Sequence, residues 1–362
     1  MSEVVETDRK LATIRQISAI DPIPDADAID VATVDGWKVV VKKGDFSVGD
    51  LCVYFEIDSW VPATVAPFLN RGRKFNGVEG ERLRTKKLRG QISQGLVLPF
   101  SSLSVAFNPD EMKNLPFEIG DDVTQPLGIQ KFEKPIPASL RGVARGNFPS
   151  FIRKTDQERI QNLKKYLGNW IENRIKWEIT EKIDGSSMTV YINDGIFGVC
   201  SRNLDLVETE GNAYWDIARK LNIEHRMTEF IGHGGSQLTQ YCRKNFAIQG
   251  ELVGPGIQGN KYGLKETAFY VFDIFDIDAQ EYLPHYERWL IATHLLGLDH
   301  VPLIDAKTIN DDETVDSLLT LADGQSIIGN KSGREGLVYK NLHDGSMSFK
   351  TISNKWLLKN EE

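Results

Sequence analysis

An α+β chain, with a small β-barrel ahead of a larger domain rich in antiparallel strands, is what three features of the sequence predict. Residues 9–100 break into short β-prone runs, a turn-rich interval without sustained period comes next, and from about residue 148 strands and helices alternate irregularly. Irregular alternation favours an antiparallel α+β domain over a doubly wound parallel sheet. The expected division is a barrel module at 1–105, an irregular connection at 106–147 and a second domain at 148–362.

In the first module the runs at 10–17, 37–42, 51–57 and 95–100 carry β-branched and aromatic residues, and the Gly44-Asp-Phe-Ser-Val-Gly-Asp50 turn separates the second from the third. Their spacing suits a five-stranded barrel of OB type. The stretch 101–150 is rich in Pro, Gly and Asn and reads as a connection between domains. A helix is expected from Thr155, where Thr155-Asp-Gln-Glu158 has the form of a capping box and Ile160, Leu163 and Leu167 share a face before Gly168. Strands are expected at 177–183, 186–193 and 196–202, the last two joined by the hairpin turn Asn193-Asp-Gly195. A helical segment at 212–230, strands at 246–253 and 269–276, a helix at 286–296, and strands at 335–341 and 346–353 across Asp344-Gly345 complete the reading. No internal repeat, low-complexity tract or coiled coil is evident.

At 362 residues, 41% hydrophobic and 26% charged, the chain has ordinary globular composition. No apolar run approaches the length that crosses a bilayer, and the start, MSEVVETDRK, is acidic where a signal peptide would be basic and then apolar. The expectation is a soluble intracellular protein without membrane contact, cytoplasmic, or nuclear in a eukaryote. Cys52, Cys200 and Cys242 stand far apart and read as reduced, buried thiols, neither a zinc site nor a disulfide framework. A net charge of −8 disfavours a protein that coats nucleic acid non-specifically. Yet between Arg71 and Arg89 eight basic residues face only two acids, Glu79 and Glu81, so a local basic surface is expected on an acidic protein.

The strongest candidate for chemistry is Glu181-Lys182-Ile-Asp184-Gly185-Ser186, where a strand runs into a tight turn. Lysine becomes a nucleophile only as the free amine, which needs desolvation or neighbouring positive charge, and Gly185 lets backbone approach a phosphate-bearing ligand. Read alone, the segment is more often an exposed lysine before a turn.

Residues further along the chain narrow the choice. Lys182-x-Asp-Gly185 resembles motif I of the covalent nucleotidyltransferases, the superfamily of polynucleotide ligases and mRNA capping enzymes. Cys200-Ser-Arg202-Asn203 resembles motif Ia, Ile248-Gln-Gly-Glu251-Leu-Val-Gly254 motif III, and Phe269-Tyr-Val-Phe272-Asp273-Ile274 motif IIIa. Glu335-Gly-Leu-Val-Tyr-Lys340 resembles motif IV and Ser348-Phe-Lys350 motif V, all in the order of that superfamily over about 170 residues.

The resemblance implies a role for each position. Lys182 attacks the α-phosphorus of ATP and forms a phosphoramidate, Glu181 helps read adenine, and Asp184 and Gly185 complete the nucleotide-binding turn. Arg202 binds ribose or phosphate oxygens through its planar fork, with Asn203 beside it. Glu251 bonds a ribose hydroxyl, and Phe272 stacks on adenine or, as an aromatic in an apolar strand, belongs to the core. Glu335 contacts the divalent cation, Mg²⁺ or Mn²⁺, that accompanies the triphosphate. Lys350, together with Lys340, holds the α-phosphate; either lysine reads equally as the exposed face of a hairpin.

Only twelve residues come after Lys350, too few for the C-terminal OB domain that DNA ligases and capping enzymes carry. The order of modules is instead similar to an ATP-dependent RNA ligase family with an OB domain ahead of the nucleotidyltransferase domain. Gly36–Gly44, Val48–Glu56 and Leu88–Gly95 resemble that first module, and Phe148-Pro-Ser-Phe151 with Lys154-Thr-Asp156 and Arg159 resembles the entry to the second. The family implies an antiparallel-sheet-rich, ATP-grasp-like ligase catalytic domain that joins RNA 3′-hydroxyl and 5′-phosphate ends in nick sealing or repair, acting as a monomer. Lys86, Lys87 and Arg89 are candidates for RNA phosphate contacts, or else a solvated loop. This chain has Ile352 where many relatives have a second motif V lysine, and its loops at 254–268 and 303–333 match nothing in the family. The alternative from another class is a non-catalytic RNA-binding protein with a vestigial nucleotidyltransferase fold.

Overall fold

In the first module the strand at Trp37 turns one face inward: Trp37, Val39 and Val41 are buried while Lys38, Val40 and Lys42 are not. The computed structural model describes residues 9–114, 116–133, 142–232, 241, 243–329 and 332–360. Five antiparallel strands, Ala12–Pro22, Ile29–Val34, Trp37–Lys42, Leu51–Phe55 and Leu96–Pro99, form a sheet in the order fifth, fourth, first, second, third. A second sheet places Ser59–Pro62 between Gln130–Lys131 and Val78–Arg82. Together they wrap a core that includes Ile14, Val53, Phe55, Val61, Leu98 and Leu103. The strand Ile29–Val34 has no counterpart among the expected strands. It returns into Trp37–Lys42 through Asp35-Gly36, with Asp35 at φ 51°, the left-handed geometry of a two-residue hairpin turn.

The chain divides into two compact units, Met1–Pro135 with Leu357–Glu362, and Ile136–Trp356. Residues of the interval expected to be a connection are packed: Val123, Leu127 and Ile129 belong to the core of the first unit. Its basic segment includes the hairpin Lys86–Leu88 and Gln91–Ser93, turned by Arg89 and Gly90, both at positive φ. Cys52 and Cys200 are buried free thiols, burial raising the Cys52 thiol to about 12; Cys242 lies outside the described residues.

The second unit is built on two sheets. Seven strands run in the spatial order Ala144–Asn147, Leu204–Leu206, Ile196–Ser201, Ser186–Asn193, Phe246–Val253, Ala268–Asp276 and Glu281–Tyr282. Met188, Val190, Ile248 and Ile274 on this sheet pack with Trp215, Ile217, Met227 and Phe230 of helices Ala213–Lys220 and Ile223–Gly232. The other sheet orders Glu158–Arg159, Ser348–Ile352, Gly336–Asn341, Lys176–Lys182 and Leu303–Thr308. Period two again sorts its side chains. Trp177, Ile179, Leu337, Tyr339 and Phe349 share a core with Trp170 and Leu318 of helices Lys164–Glu172 and Val315–Ala322. Glu178, Thr180 and Lys182 take the opposite face, in register with Lys340, Val338 and Gly336.

Several elements differ from expectation for identifiable reasons. The helix read from Thr155 begins instead at Lys164 after a short 3-10 turn, because Glu158–Arg159 pairs in parallel with Phe349 and Lys350 and the Thr155 hydroxyl donates to Gln249 Oε1 at 3.2 Å. The interval 303–333 holds a strand and a helix, the latter opened by a true capping box between Thr314 and Ser317. The helix expected at 286–296 is a short α-turn, His285–Trp289, continued as a π-helical segment, Leu290–Leu295. Among the described residues no helix is long and apolar enough to cross a membrane.

Candidate active site

Lys182 ends its strand opposite Gly336, with Gly185 three residues on. Both glycines are required by close packing. A Cβ on Gly336 would stand 2.1 Å from the Thr351 carbonyl oxygen, and one on Gly185 would stand 2.4 Å from that of Leu252. Gly185 therefore serves to let the turn abut the strand Phe246–Val253, where the sequence pattern pointed to approach by a ligand.

That approach gathers carboxylates around the ammonium. Lys182 Nζ donates to Glu335 Oε2 at 2.7 Å, and the Gly185 N–H donates to Glu251 Oε1 at 3.0 Å. Burial pushes the Lys182 pKa down, but Glu335, Glu251 and Asp184 together outweigh it, so in this state the lysine is held as the cation above its ordinary range. Burial raises Glu251 to about 8; Lys182 opposes the rise and the negative charge of Glu335 adds to it. Glu335 is also raised, by burial, with Lys182 pulling the other way. Glu335 and Glu251 crowd the same ammonium, and a pair of like charges in a dry site cannot both ionise cheaply.

Asp184 is fixed from the loop beyond the Glu251 strand. Its carboxylate pairs with the Lys261 ammonium, and its N–H donates to Tyr262 Oη at 2.7 Å. The Tyr262 ring stacks on Trp356 with centroids 6.3 Å apart, and Lys261 Nζ lies 5.2 Å from the Trp356 centroid. Glu181 is buried on the other face of the strand. Its Oε2 accepts the Ile327 N–H at 2.8 Å, and the Ser326 hydroxyl lies close enough to oppose the rise that burial imposes on the Glu181 pKa. A ligand amino group would be a further donor to this buried carboxyl. Phe272 packs against the cluster of Ile183, Val253, Tyr262, Val301 and Trp356.

Further along, Lys350 Nζ donates to Asp156 Oδ1 at 3.0 Å, and Arg202 lies 3.8 Å from Asp156 Oδ2. Asn203 accepts from Lys154 at 3.3 Å. Lys340 is placed differently. It is buried and donates to both Asp273 Oδ1 and the Phe272 carbonyl, each at 2.6 Å, inside a network in which Arg288 bridges Glu178 and approaches Asp273. The phosphate contact expected of Lys340 is not assembled here.

The structure thus brings Lys182, Glu335, Glu251, Asp184 and Gly185 together, sets Lys350 and Arg202 on a shared acid, and leaves Lys86, Lys87 and Arg89 on the exposed hairpin of the other unit. Sequence reasoning missed Asp156 as that shared acid, and missed Lys261, Tyr262 and the Ile327 N–H altogether. The only signal for Lys261 and Tyr262 was their place in the turn-forming run Gln-Gly-Asn-Lys-Tyr-Gly263, where Gln258 and Asn260 adopt positive φ. Among the described residues no three His, Cys, Asp or Glu side chains are arranged to enclose a metal ion. Glu335, Glu251 and Asp184 nevertheless fit a hydrated cation that is bound mainly by phosphate oxygens, since they converge beside Lys182 and burial raises the pKa of Glu335 and Glu251, a rise that a cation would oppose.

A strand-end lysine among carboxylates, with Lys350 and Arg202 on a shared acid nearby, is the arrangement expected of a nucleotidyltransferase. Residues 11–100 match a family model described as an OB-fold domain and residues 175–356 one described as RNA ligase. A lysine-to-alanine variant of Naegleria gruberi RNA ligase, solved with ATP and Mn, is 45% identical at a TM-score of 0.84, covering 97% of this chain and 99% of that one. A variant of the same ligase with AMP and Mn is 45% identical, TM-score 0.84, covering 98% and 99%. The ligase with PPi is 45% identical, TM-score 0.82, covering 98% and 99%. No curated protein matches. The chain belongs to the RNA ligase family.

Proposed function

We propose that this RNA ligase works through Lys182, with ATP as nucleotide and Mg²⁺ or Mn²⁺ as cofactor, as the ATP, AMP and Mn in the Naegleria structures support. The Lys182 amine attacks the α-phosphorus, a P–N bond forms, the bond to the β-phosphate bridging oxygen breaks, and pyrophosphate leaves. A divalent cation held through its waters by Glu335, Glu251 and Asp184 would supply the positive charge that Glu335 and Glu251 now take from Lys182 and Asp184 takes from Lys261. With the acids so satisfied, burial alone acts on Lys182 and lowers its pKa toward the free amine. Lys350 and Arg202 hold phosphate oxygens in place of Asp156, Glu181 Oε1 accepts the adenine amino group, and Phe272 supports the ring. Lys340 positions the Phe272 carbonyl through its hydrogen bond. AMP then passes to a 5′-phosphate, and a 3′-hydroxyl displaces it to seal broken or nicked RNA, with the protein acting as a monomer and Lys86, Lys87 and Arg89 of the first unit contacting RNA phosphates.

The observation that carries this reading is the 2.7 Å contact of Lys182 with Glu335 beside a Glu251 raised to about 8. Incubation with α-labelled ATP and Mn²⁺ should leave acid-labile label on the denatured chain, and Lys182→Met should leave none while melting like the parent. Label retained by Lys182→Met would remove the nucleophile assignment.

A further inference from the structure

Outward from Lys350, cations and a ring succeed one another to the edge of the seven-stranded sheet. Lys350 and Arg202 share Asp156, at 3.0 and 3.8 Å. The neighbouring Asn203 accepts the Phe148 N–H through its carbonyl at 2.9 Å and Lys154 Nζ through its side-chain oxygen at 3.3 Å. That ammonium lies 5.5 Å from the centroid of the Phe148 ring. Phe148 comes directly after Ala144–Asn147, an exposed strand paired with Leu204–Leu206, in which Arg145 reaches to 3.8 Å from Asp205 Oδ2.

Fold stability gives little reason for these cations. Asp205 already accepts the Tyr191 hydroxyl at 3.2 Å and the Cys200 thiol, and the Arg145 side chain remains 46% exposed, so the pair is loose and contributes little. Lys154 is exposed and spends its ammonium on a neutral amide. On a chain of net charge −8, Arg145, Lys154, Arg202 and Lys350 outnumber the two carboxylates they meet, Asp156 and Asp205, and leave a local excess of the opposite sign beside the reaction centre. Spaced cations with an aromatic ring between them are the chemistry that holds a single polynucleotide strand.

We propose that Arg145, Phe148 and Lys154 form the track on the catalytic unit for the RNA strand that ends in a 5′-phosphate, with that phosphate at Arg202 beside Lys350. This rests on the lysyl-AMP reading above. An oxygen of the 5′-phosphate attacks the α-phosphorus of lysyl-AMP, a P–O–P linkage forms, the P–N bond breaks, and Lys182 leaves as the amine and takes up a proton. The track fixes the approach of that oxygen, which converts an encounter of two bodies into a near-unimolecular step.

The test uses the double variant Arg145→Ala/Lys154→Ala and the charge-preserving Arg145→Lys/Lys154→Arg, each in the full chain. Lysyl-AMP formation from ATP should stay within about two-fold of the parent, because neither residue touches the nucleotide pocket. Transfer of AMP from the loaded protein to a 5′-phosphorylated RNA oligonucleotide should fall at least ten-fold, and the direct affinity of unloaded protein for that RNA should fall likewise. The log–log salt slope of binding should be shallower by roughly 1.4, about 0.7 for each single-strand phosphate that is no longer neutralised. The charge-preserving variant should restore both. Neutralising Lys86, Lys87 and Arg89 in parallel reports on the other unit. Unchanged affinity and transfer in the double variant, with loss only in the hairpin variant, would overturn the track. The affinity arm decides this even if no lysyl-AMP forms, so failure of the track and failure of the nucleophile assignment remain distinct.

Discussion

Lys182 and Lys340 stand on one face of one sheet, four residues apart along paired strands, and each meets a carboxylate at under 3 Å. Their environments have opposite effects. Around Lys340, burial and the Arg288 guanidinium push the pKa down despite Asp273 and Glu178. Around Lys182, three acids hold it up despite burial. A depressed lysine pKa, the usual mark of a nucleophile, would by itself point to Lys340. Access reverses that choice, for the Lys340 side chain is 4% exposed and that of Lys182 26%. Lys340 is locked between Asp273 and the Phe272 carbonyl, with Glu178 beyond, an acid that burial would raise but that Arg288 and His285 hold well below its usual range. The depressed lysine is part of the scaffold, and the elevated one has partners that a ligand can take away.

Removing the acid at the accessible end should have the largest effect. Glu335→Ala frees Lys182 from its closest anion, which favours the amine, and also deletes the main acceptor for the cation on ATP. The second loss should win, because charge stabilisation at phosphate is worth several kcal/mol. The rate of lysyl-AMP formation should drop on the order of 100-fold, with raised Mn²⁺ restoring little of it. A rate at or above that of the parent would mean that Glu335 serves only to restrain the lysine.

At the closed end the damage should be to the fold. Lys340→Met leaves Asp273 buried with one fewer cation, a change that typically costs about 3 kcal/mol, or roughly 10 °C in Tm for a domain of this size. Below the melt the variant should still take up labelled AMP at Lys182. A variant of unchanged Tm that cannot be adenylylated would place Lys340 in the chemistry and erase the contrast.

How far each end was legible in the sequence obeys the same division. The nucleophile turn, the acids at 251 and 335 and the strands that carry them announce themselves through local pattern: alternating side chains, Asn-Asp-Gly and Asp-Gly turns, and glycines where strands touch. Asp156 acts on Lys350, Lys261 on Asp184 and the Ile327 N–H on Glu181, across 194, 77 and 146 positions. No period or spacing encodes such contacts. Thr155-Asp-Gln-Glu158 had the letters of a capping box, but sheet pairing by Glu158 and Arg159 overrode the local preference. The strand Leu303–Thr308 was invisible because none of its residues is buried, which leaves no inward-outward alternation to read.

The finest test separates the two ends by pH. Glu251 belongs to the accessible cluster, and its folded pKa of about 8 stands above the ordinary carboxylate value. An acid with a raised folded pKa favours folding while it keeps its proton. Below the unfolded value near 4.3 both states are protonated and nothing is lost. From there to about pH 8 the unfolded chain has released the proton and the folded one has not, so stability declines with rising pH, and above pH 8 the penalty stays constant. Glu251→Gln removes the ionisation and keeps an oxygen to accept the Gly185 N–H. Its Tm relative to the parent should therefore climb between pH 5 and pH 8 by a few degrees and then level off, measured without nucleotide or metal. Saturating Mn²⁺ should shrink the difference, since the parent then has a cation for its ionised acid. A Tm difference that does not change with pH would mean that Glu251 is already ionised in the folded protein, and that Lys182 alone carries the charge balance of the site.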